Sequence, residues 1–290
     1  HLHISLPSLR IESFSVDLMD TLKDSRSGGF TLAPEAATEK MRQIINKPVS
    51  TQQLLDTARE IYSRGWTSIK LYFMIGHPSE TLEDVRAIAD LCWSVWRIGR
   101  SIMGGKAKVH AGVSTFVPKP HTPFQWEACD QIDQVIEKQN LLKEQLRNPN
   151  FKLTWTDTED TQLEAWLTRG DRRMSEVIFT AWKNGAHFDA WQESHNYDIW
   201  LKAFSDNNLD PSFYAERIRS FDEVLPWSHI DAGVRQSYLR AEAKAAKEGK
   251  TRDDCRDQCY ACGIMPEYAS AWLDTWKCPP AKNVPSSEIK

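Results

Sequence analysis

Ile69-Lys70-Leu71-Tyr72-Phe73-Met74-Ile75-Gly76-His77-Pro78-Ser79-Glu80-Thr81 decides the fold of this chain. It begins as an apolar run, breaks at Gly-His-Pro, and runs into an acidic helix start. A strand this apolar is expected to be parallel and covered by helices on both faces. Gly76 and Pro78 end it sharply, because glycine accepts unusual backbone angles and proline fixes φ and lacks a donor. The next helix therefore brings its unpaired N–H groups beside the carboxyl end of the strand. In α/β sheets, open or closed, that edge is where ligands bind.

Working outward, the same unit repeats. Phe30-Thr31-Leu32-Ala33 reads as a strand ending at Pro34-Glu35, and Thr38 opens a helix with Met41, Ile44 and Ile45 on one face. Ser50 with Gln53 forms a capping box for a helix that buries Leu54, Leu55, Ala58, Ile61 and Tyr62 and stops at Gly65. After the quoted stretch, Val85, Ile88, Ala89, Cys92 and Trp96 keep helical spacing. Val109 to Val117 reads as a further strand, followed by Pro118 to Pro123 and a long helix with Ile132, Val135, Ile136, Leu142 and Leu146 inward. Leu2 to Leu9 reads as an earlier strand, with a helix after Ser15. The alternation of strand and helix predicts a parallel sheet, and half a barrel or part of an open sheet would satisfy it equally.

After residue 150 the texture changes. Phe151 to Trp155 reads as one more strand. Short helices follow around Leu163 to Leu167, Met174 to Lys183, Tyr197 to Phe204, Pro211 to Ile218 and Val234 to Lys247. Trp155, Trp166, Trp182, Trp191 and Trp200 fall on apolar helix faces and are expected in the core. The expected organisation is a sheet domain over 1–150, a helical extension over 151–250 and a Cys-rich tail over 251–290.

The 290 residues carry 36 basic and 40 acidic side chains, a net charge of −4. Such a balance gives no general attraction to nucleic acid or to an anionic membrane. No apolar run approaches the roughly 20 residues of a membrane span. The opening residues His1 to Leu6 have neither the basic segment nor the cleavage site of a signal peptide, so a cytoplasmic location is expected. The chain starts without Met inside a strand-like run, which reads as a fragment lacking an N-terminal part.

Chemistry concentrates in a few places. Cys255-x3-Cys259-x2-Cys262-Gly263 can turn three thiolates toward one centre, and sulfur ligation suits zinc or an iron–sulfur cluster equally. Cys278 or His229 is a candidate fourth ligand. Cys92 and Cys129 read as small buried residues. Arg10, Glu35, Glu80 and Lys119 all follow strand ends, where converging charges suit a small zwitterion. Arg169-Gly170-Asp171-Arg172-Arg173 offers a phosphate or nucleic-acid contact, with a solvated helix start as the favoured reading. His187 beside Phe188 and Trp191 reads as structural.

Met74 to Thr81 resembles the fifth-strand motif of radical S-adenosylmethionine (SAM) enzymes. Phe30 to Met41 resembles their fourth strand, Leu6 to Arg10 the third, and Thr115 to Trp126 the sixth. More narrowly, Arg169 to Arg173, Phe188 to Trp191 and the Cys tail resemble an uncharacterised branch with a cobalamin-binding-like domain. The resemblance spans most of residues 1–265. It implies the C-terminal part of a (β/α)6 barrel, with SAM across the strand ends. Gly76 and the main chain near Ser114 to Phe116 would form the adenine wall, with Glu80 beside it. Arg10 and Glu35 would face the ribose and methionine end. It further implies a 4Fe-4S cluster, an electron donor, and radical chemistry or methyl transfer through cobalamin. One departure matters: the family's Cys-x3-Cys-x2-Cys follows the first strand, whereas here that spacing occurs in the tail. The tail therefore reads as a second site, an auxiliary cluster or zinc, with the main cluster ligands in the absent N-terminal part. This chain alone is then expected not to cleave SAM. The competing reading is a non-catalytic metal-binding module that contacts RNA or a protein partner through Arg169 to Arg173 and the tail. An unrelated barrel with a phosphate ligand is disfavoured, since no Gly-rich loop precedes a late short helix.

Overall fold

The structure, a computed structural model, describes residues 29–191 and 193–264. The strand expected over Leu2 to Leu9, the helix after Ser15, Arg10 and Cys278 lie outside the described residues. In chain order the elements are β1 (Phe30–Glu35), α1 (Glu39–Ile44), α2 (Thr51–Ser63), β2 (Ser68–Ile75), α3 (Leu82–Met103), β3 (Lys108–Thr115), α4 (Ile132–Gln145) and β4 (Phe151–Trp155). They continue as α5 (Thr158–Arg169), α6 (Met174–Lys183), α7 (Tyr197–Asp206), α8 (Pro211–Ala215) and α9 (Gln236–Lys247).

The four strands form one parallel sheet in the order β1-β2-β3-β4. Sequential order is how a barrel is wound; a doubly wound sheet reverses direction at a switch point. The structure thus makes the choice that alternation alone left open: a mixed α/β fold with a partial, unclosed barrel-type sheet, followed by a helical region. Ile69, Val109 and Phe151 stand in one row across three strands, and Ile75 stands opposite Thr115.

Among the described residues, one face of the sheet is packed under helices. Leu32, Ile69, Leu71, Phe73, Ile75, Val109, Ala111 and Val113 are buried there with Leu54, Ile61, Val85, Ile88, Cys92 and Leu142. The opposite face carries Lys70, Tyr72, His110 and Thr154. Lys70 Nζ donates to the Tyr72 hydroxyl at 2.6 Å, and a His110 ring nitrogen lies 2.9 Å from Thr154 Oγ1. This corrects the expectation of a strand covered on both sides: β2 alternates, and its even-numbered residues look out of the helix layer.

Local rules account for the helix ends. Ser50 and Gln53 make the expected capping box, and Thr81 with Asp84 makes another. Gly65, at φ 91°, follows the C-cap of α2. Gly99 of α3 lets the Tyr62 ring approach so closely that a Cβ there would lie 2.6 Å from it, and the Tyr62 hydroxyl donates to the Lys108 carbonyl at 3.0 Å.

α4 corrects its own pattern. Val135 and Leu142 are buried as expected, but Ile136 is 40% exposed, and Lys138 and Gln139 are buried in its stead. The reason is polar: Lys138 pairs with Glu80, and Gln139 Nε2 donates to the Thr156 carbonyl at 3.3 Å.

Two compact units emerge. The first takes 29–116, 132–157 and 246–251; the second takes 117–131, 158–245 and 252–264 among the described residues. In the second, Trp166, Trp200, Phe204 and Tyr214 form one core, and Trp126, Leu225, Trp227 and Leu239 another. The tryptophan expectation holds for Trp166 and Trp200. It fails for Trp155, Trp182 and Trp191, which are 39%, 55% and 65% exposed. Trp155 ends a strand rather than lying on a helix, and Trp191 sits in the irregular stretch before α7. α8 also stops at Ala215, short of the expected Ile218.

Candidate functional site

The candidate site is the carboxyl edge of β1, β2 and β3, all within the first unit. At β1, the register slips between Leu32 and Glu35, and Glu35 adopts φ 64°. A non-glycine residue rarely takes that conformation. Glu35 lies 3.8 Å from Lys47, and partial burial raises its carboxyl above the usual range against that ion pair. The following loop is held by Arg42, which is buried and donates to the carbonyls of Ala36 and Ala37 at 3.0 and 2.9 Å and to Thr51 Oγ1 at 2.6 Å.

At β2, Gly76 turns at φ 85° and Ser79 at φ 65°. Glu80 closes this loop on itself. One carboxylate oxygen, Oε2, accepts from the Gly76 N–H at 2.7 Å and from Lys138 Nζ at 2.7 Å. Both side chains of that ion pair are buried. Glu80 thus sets the shape of the loop, and Lys138 ties α4 to it. Asp84 joins the two loops: it accepts from Thr38 Oγ1 at 2.9 Å, Lys40 Nζ at 3.1 Å and Thr81 Oγ1 at 2.8 Å. Burial works against its ionised form, but these hydrogen bonds prevail and hold the carboxyl below its ordinary value.

At β3, the Ser114 hydroxyl donates to the Phe73 carbonyl at 3.3 Å, and the Phe116 N–H extends the ladder to Ile75 at 2.8 Å. Between these edges sits His77. It is 5% exposed, its ring centroid is 5.1 Å from that of Phe116, and neither ring nitrogen has a hydrogen-bond partner. Burial, and secondarily the Lys138 charge, depress its pKa to about 4, so the imidazole is neutral at neutral pH. A buried neutral imidazole offers one donor and one acceptor, and leaving both unmet is costly.

The expected residues are therefore distributed as follows. Gly76, Glu80 and Ser114 belong to adjoining strand ends, with Glu35 on the strand beside them. Lys119 lies in the second unit and pairs with Glu164. His77 and Lys138 were not singled out from sequence. A histidine between the glycine and proline of the turn was a legible signal; a lysine at an inward position of an amphipathic helix was a fainter one.

In the second unit, Arg169 is fully buried at the end of α5, which corrects the solvated reading at that residue alone. It donates to the carbonyls of Tyr214 and Arg217 at 2.8 and 3.2 Å. Arg172 and Arg173 are exposed, and Arg173 pairs with Asp171. His187 is exposed, with its ring 6.1 Å from that of Trp182. Cys129 is buried, its thiol pushed up to about 11 by burial. In the tail, Cys255 is exposed and Cys259 and Cys262 are half-buried. The Ala261 N–H donates to Cys259 Sγ at 3.4 Å, and the Arg235 N–H to the Cys262 carbonyl at 2.8 Å. Among the described residues, no three His, Cys, Asp or Glu side chains converge as a metal site.

This edge has a recognisable counterpart. Residues 1–92 match the model of the Radical SAM superfamily. The family match runs from the N-terminal residues through β1, β2 and the first half of α3, the elements that carry Glu35, Gly76, His77 and Glu80. The chain is also similar to Uncharacterized protein MJ0966 of Methanocaldococcus jannaschii, with 30% identity over 176 residues. That match covers 61% of this chain and 37% of the relative, so the chain spans little more than a third of that protein's length. No helix among the described residues is long and apolar enough to cross a membrane.

Proposed function

We propose that this chain is the C-terminal part of a radical SAM enzyme, and that the edge formed by Gly76, His77 and Ser114 to Phe116 receives the adenine of SAM. His77 carries the reading. A neutral, buried imidazole with unmet nitrogens suits adenine, whose amino donor or ring-nitrogen acceptor one of those nitrogens can meet. Phe116 beside it offers an apolar ring for the base. Gly76 lets the main chain turn sharply at this point, and Glu80 with Lys138 holds that turn. Glu35 is assigned to the ribose and methionine end, and so is Arg10, which lies outside the described residues.

When bound, SAM and a reduced 4Fe-4S cluster supply a 5′-deoxyadenosyl radical, or a methyl group passed through cobalamin. The described residues would bind and orient SAM, and none of them is assigned as a ligand of that cluster or as a contact for an electron donor. The Cys255, Cys259 and Cys262 tail is proposed as a separate metal site, an auxiliary cluster or zinc. The Cys-x3-Cys-x2-Cys spacing and the Ala261 N–H directed at Cys259 Sγ support that reading. The sheet segment, helical extension and tail are proposed as three functional parts over 1–150, 151–250 and 251–290.

The test is equilibrium dialysis of labelled SAM against the full-length protein, reconstituted anaerobically. The natural protein should bind one SAM. His77→Leu removes that hydrogen bond at similar bulk and should weaken binding by about tenfold or more, in line with about 1–3 kcal/mol for a buried polar group left unpaired. Absence of SAM binding in the natural protein overturns the family activity; equal binding by His77→Leu overturns the adenine assignment.

A further inference from the structure

The second unit holds a cavity of about 450 Å³ between the Asp171 to Arg173 turn and the segment after α8. Its charged lining is Arg172, Arg173, Arg217 and Arg219, with Asp171 and Glu223. Both carboxylates are committed. Asp171 accepts from Arg173 Nε and Nη2 at 3.1 and 2.6 Å, and Glu223 takes Arg217 in a fork, both contacts 2.7 Å. Four guanidinium charges less two carboxylates leave an excess of two, on Arg172 and Arg219.

Arg219 is the telling residue. It is 3% exposed, yet only its Nη2 is bonded, to the Arg169 carbonyl at 2.8 Å; its Nε and Nη1 have no hydrogen-bond partner. Its guanidinium lies 5.1 Å from the Trp227 ring, which holds it in place but cannot accept those two N–H groups in the plane of the fork. Arg169, fully buried behind it, leaves its own Nη1 unbonded. Buried charge with unmet donors is costly, and the cost falls sharply when an anion enters. Burial and the neighbouring Arg169 and Arg217 charges depress the Arg219 pKa to about 10, so it is still cationic at neutral pH.

We propose that this cavity is a binding site for the phosphate group of a phosphorylated small molecule, with Arg219 and Arg172 as its principal contacts. A phosphate monoester carries a charge of about −1.5 to −2 at pH 7 and neutralises the excess, which a single carboxylate does not. Guanidinium forks match its oxygens in pairs. Phe213, stacked 4.4 Å from Arg217, and Leu225 supply an apolar wall for the organic body. A volume of about 450 Å³ suits a small metabolite. The proposal is independent of SAM binding at the strand edge.

The experiment is isothermal titration of the full chain with inorganic phosphate and with phenyl phosphate, at ionic strength fixed with chloride. Saturable binding at one site per chain is expected, tighter for phenyl phosphate. Arg219→Lys and Arg172→Gln should each weaken it at least tenfold. Arg172 is exposed, so Arg172→Gln should fold and melt as the natural chain does, which keeps the test decisive if the buried substitution fails to fold. Equal binding by Arg172→Gln overturns the proposal. So does a phosphate effect that chloride reproduces, or arginine-dependent binding of a single-stranded RNA oligonucleotide without binding of either phosphate.

Discussion

At the scale of the residue, the molecule's least comfortable groups mark its candidate sites. His77 is buried with two unmet nitrogens, and it was visible in sequence only as one letter between a glycine and a proline. Its burial has a consequence in acid. The folded-state pKa, about 4, lies below the ordinary value of 6.5. Between those values the unfolded chain binds the proton and the folded chain does not, so stability rises with pH through that window. The contribution is complete above about pH 6.5 and is lost as pH falls toward 4, amounting to about 3 kcal/mol across the window. Urea unfolding of the natural chain and of His77→Phe at pH 7, 6, 5 and 4.5 should show this slope in the first and its reduction in the second. Parallel slopes would contradict it. Glu35 shows the other kind of discomfort, a positive φ at a strand end, which follows from the register slip after Leu32 and not from anything in its own residue type.

Among the elements, the sheet and its helices were largely legible. Capping residues at Ser50 and Thr81 and the apolar spacing of α2 and α3 mark their ends because those signals act within a few residues. α4 was misread at Ile136 and Lys138 because its inward face is decided by Glu80, 58 residues earlier. That pair is the joint between α4 and the β2–α3 loop. Lys138→Met takes the lysine from a buried carboxylate and should destabilise the chain by about 3–5 kcal/mol. The double change Lys138→Met with Glu80→Gln leaves no unpaired charge and should recover part of that loss. Thermal and urea unfolding of both variants decides it; a double variant no more stable than the single one would show that the loop depends on Glu80 itself and not on the pairing.

For the molecule as a whole, the family likeness rests on the first unit, while the proposed phosphate and tail sites lie in the helical unit. The Cys tail carries its Cys-x3-Cys-x2-Cys spacing far from the residues that match the family model. Metal analysis of the full-length protein, purified without oxygen, checks the proposed tail site. Cys259→Ala should lower the iron or zinc content by the complement of one site and leave the remainder in place. Full metal content in that variant would remove the tail from the metal chemistry. Mössbauer spectra of the natural protein distinguish a second cluster from zinc.

What the sequence determined by itself was local or repetitive: the strand–helix alternation, the caps, the sharp end of β2 at Gly76 and the Cys spacing. These depend on backbone stereochemistry and on periods of two and 3.6 residues, which any window of the chain displays. What only the tertiary structure decided depends on partners far apart in the chain. Sequential strand order chose the barrel-type sheet, and its face away from the helices exposes Tyr72 and leaves Lys70 half-buried. Packing buried Arg169 and Arg219, whose sequence neighbours suggest solvent, and left Trp182 and Trp191 outside. Burial is a property of the assembled core, because it is set by which surfaces meet and not by the residue that is buried.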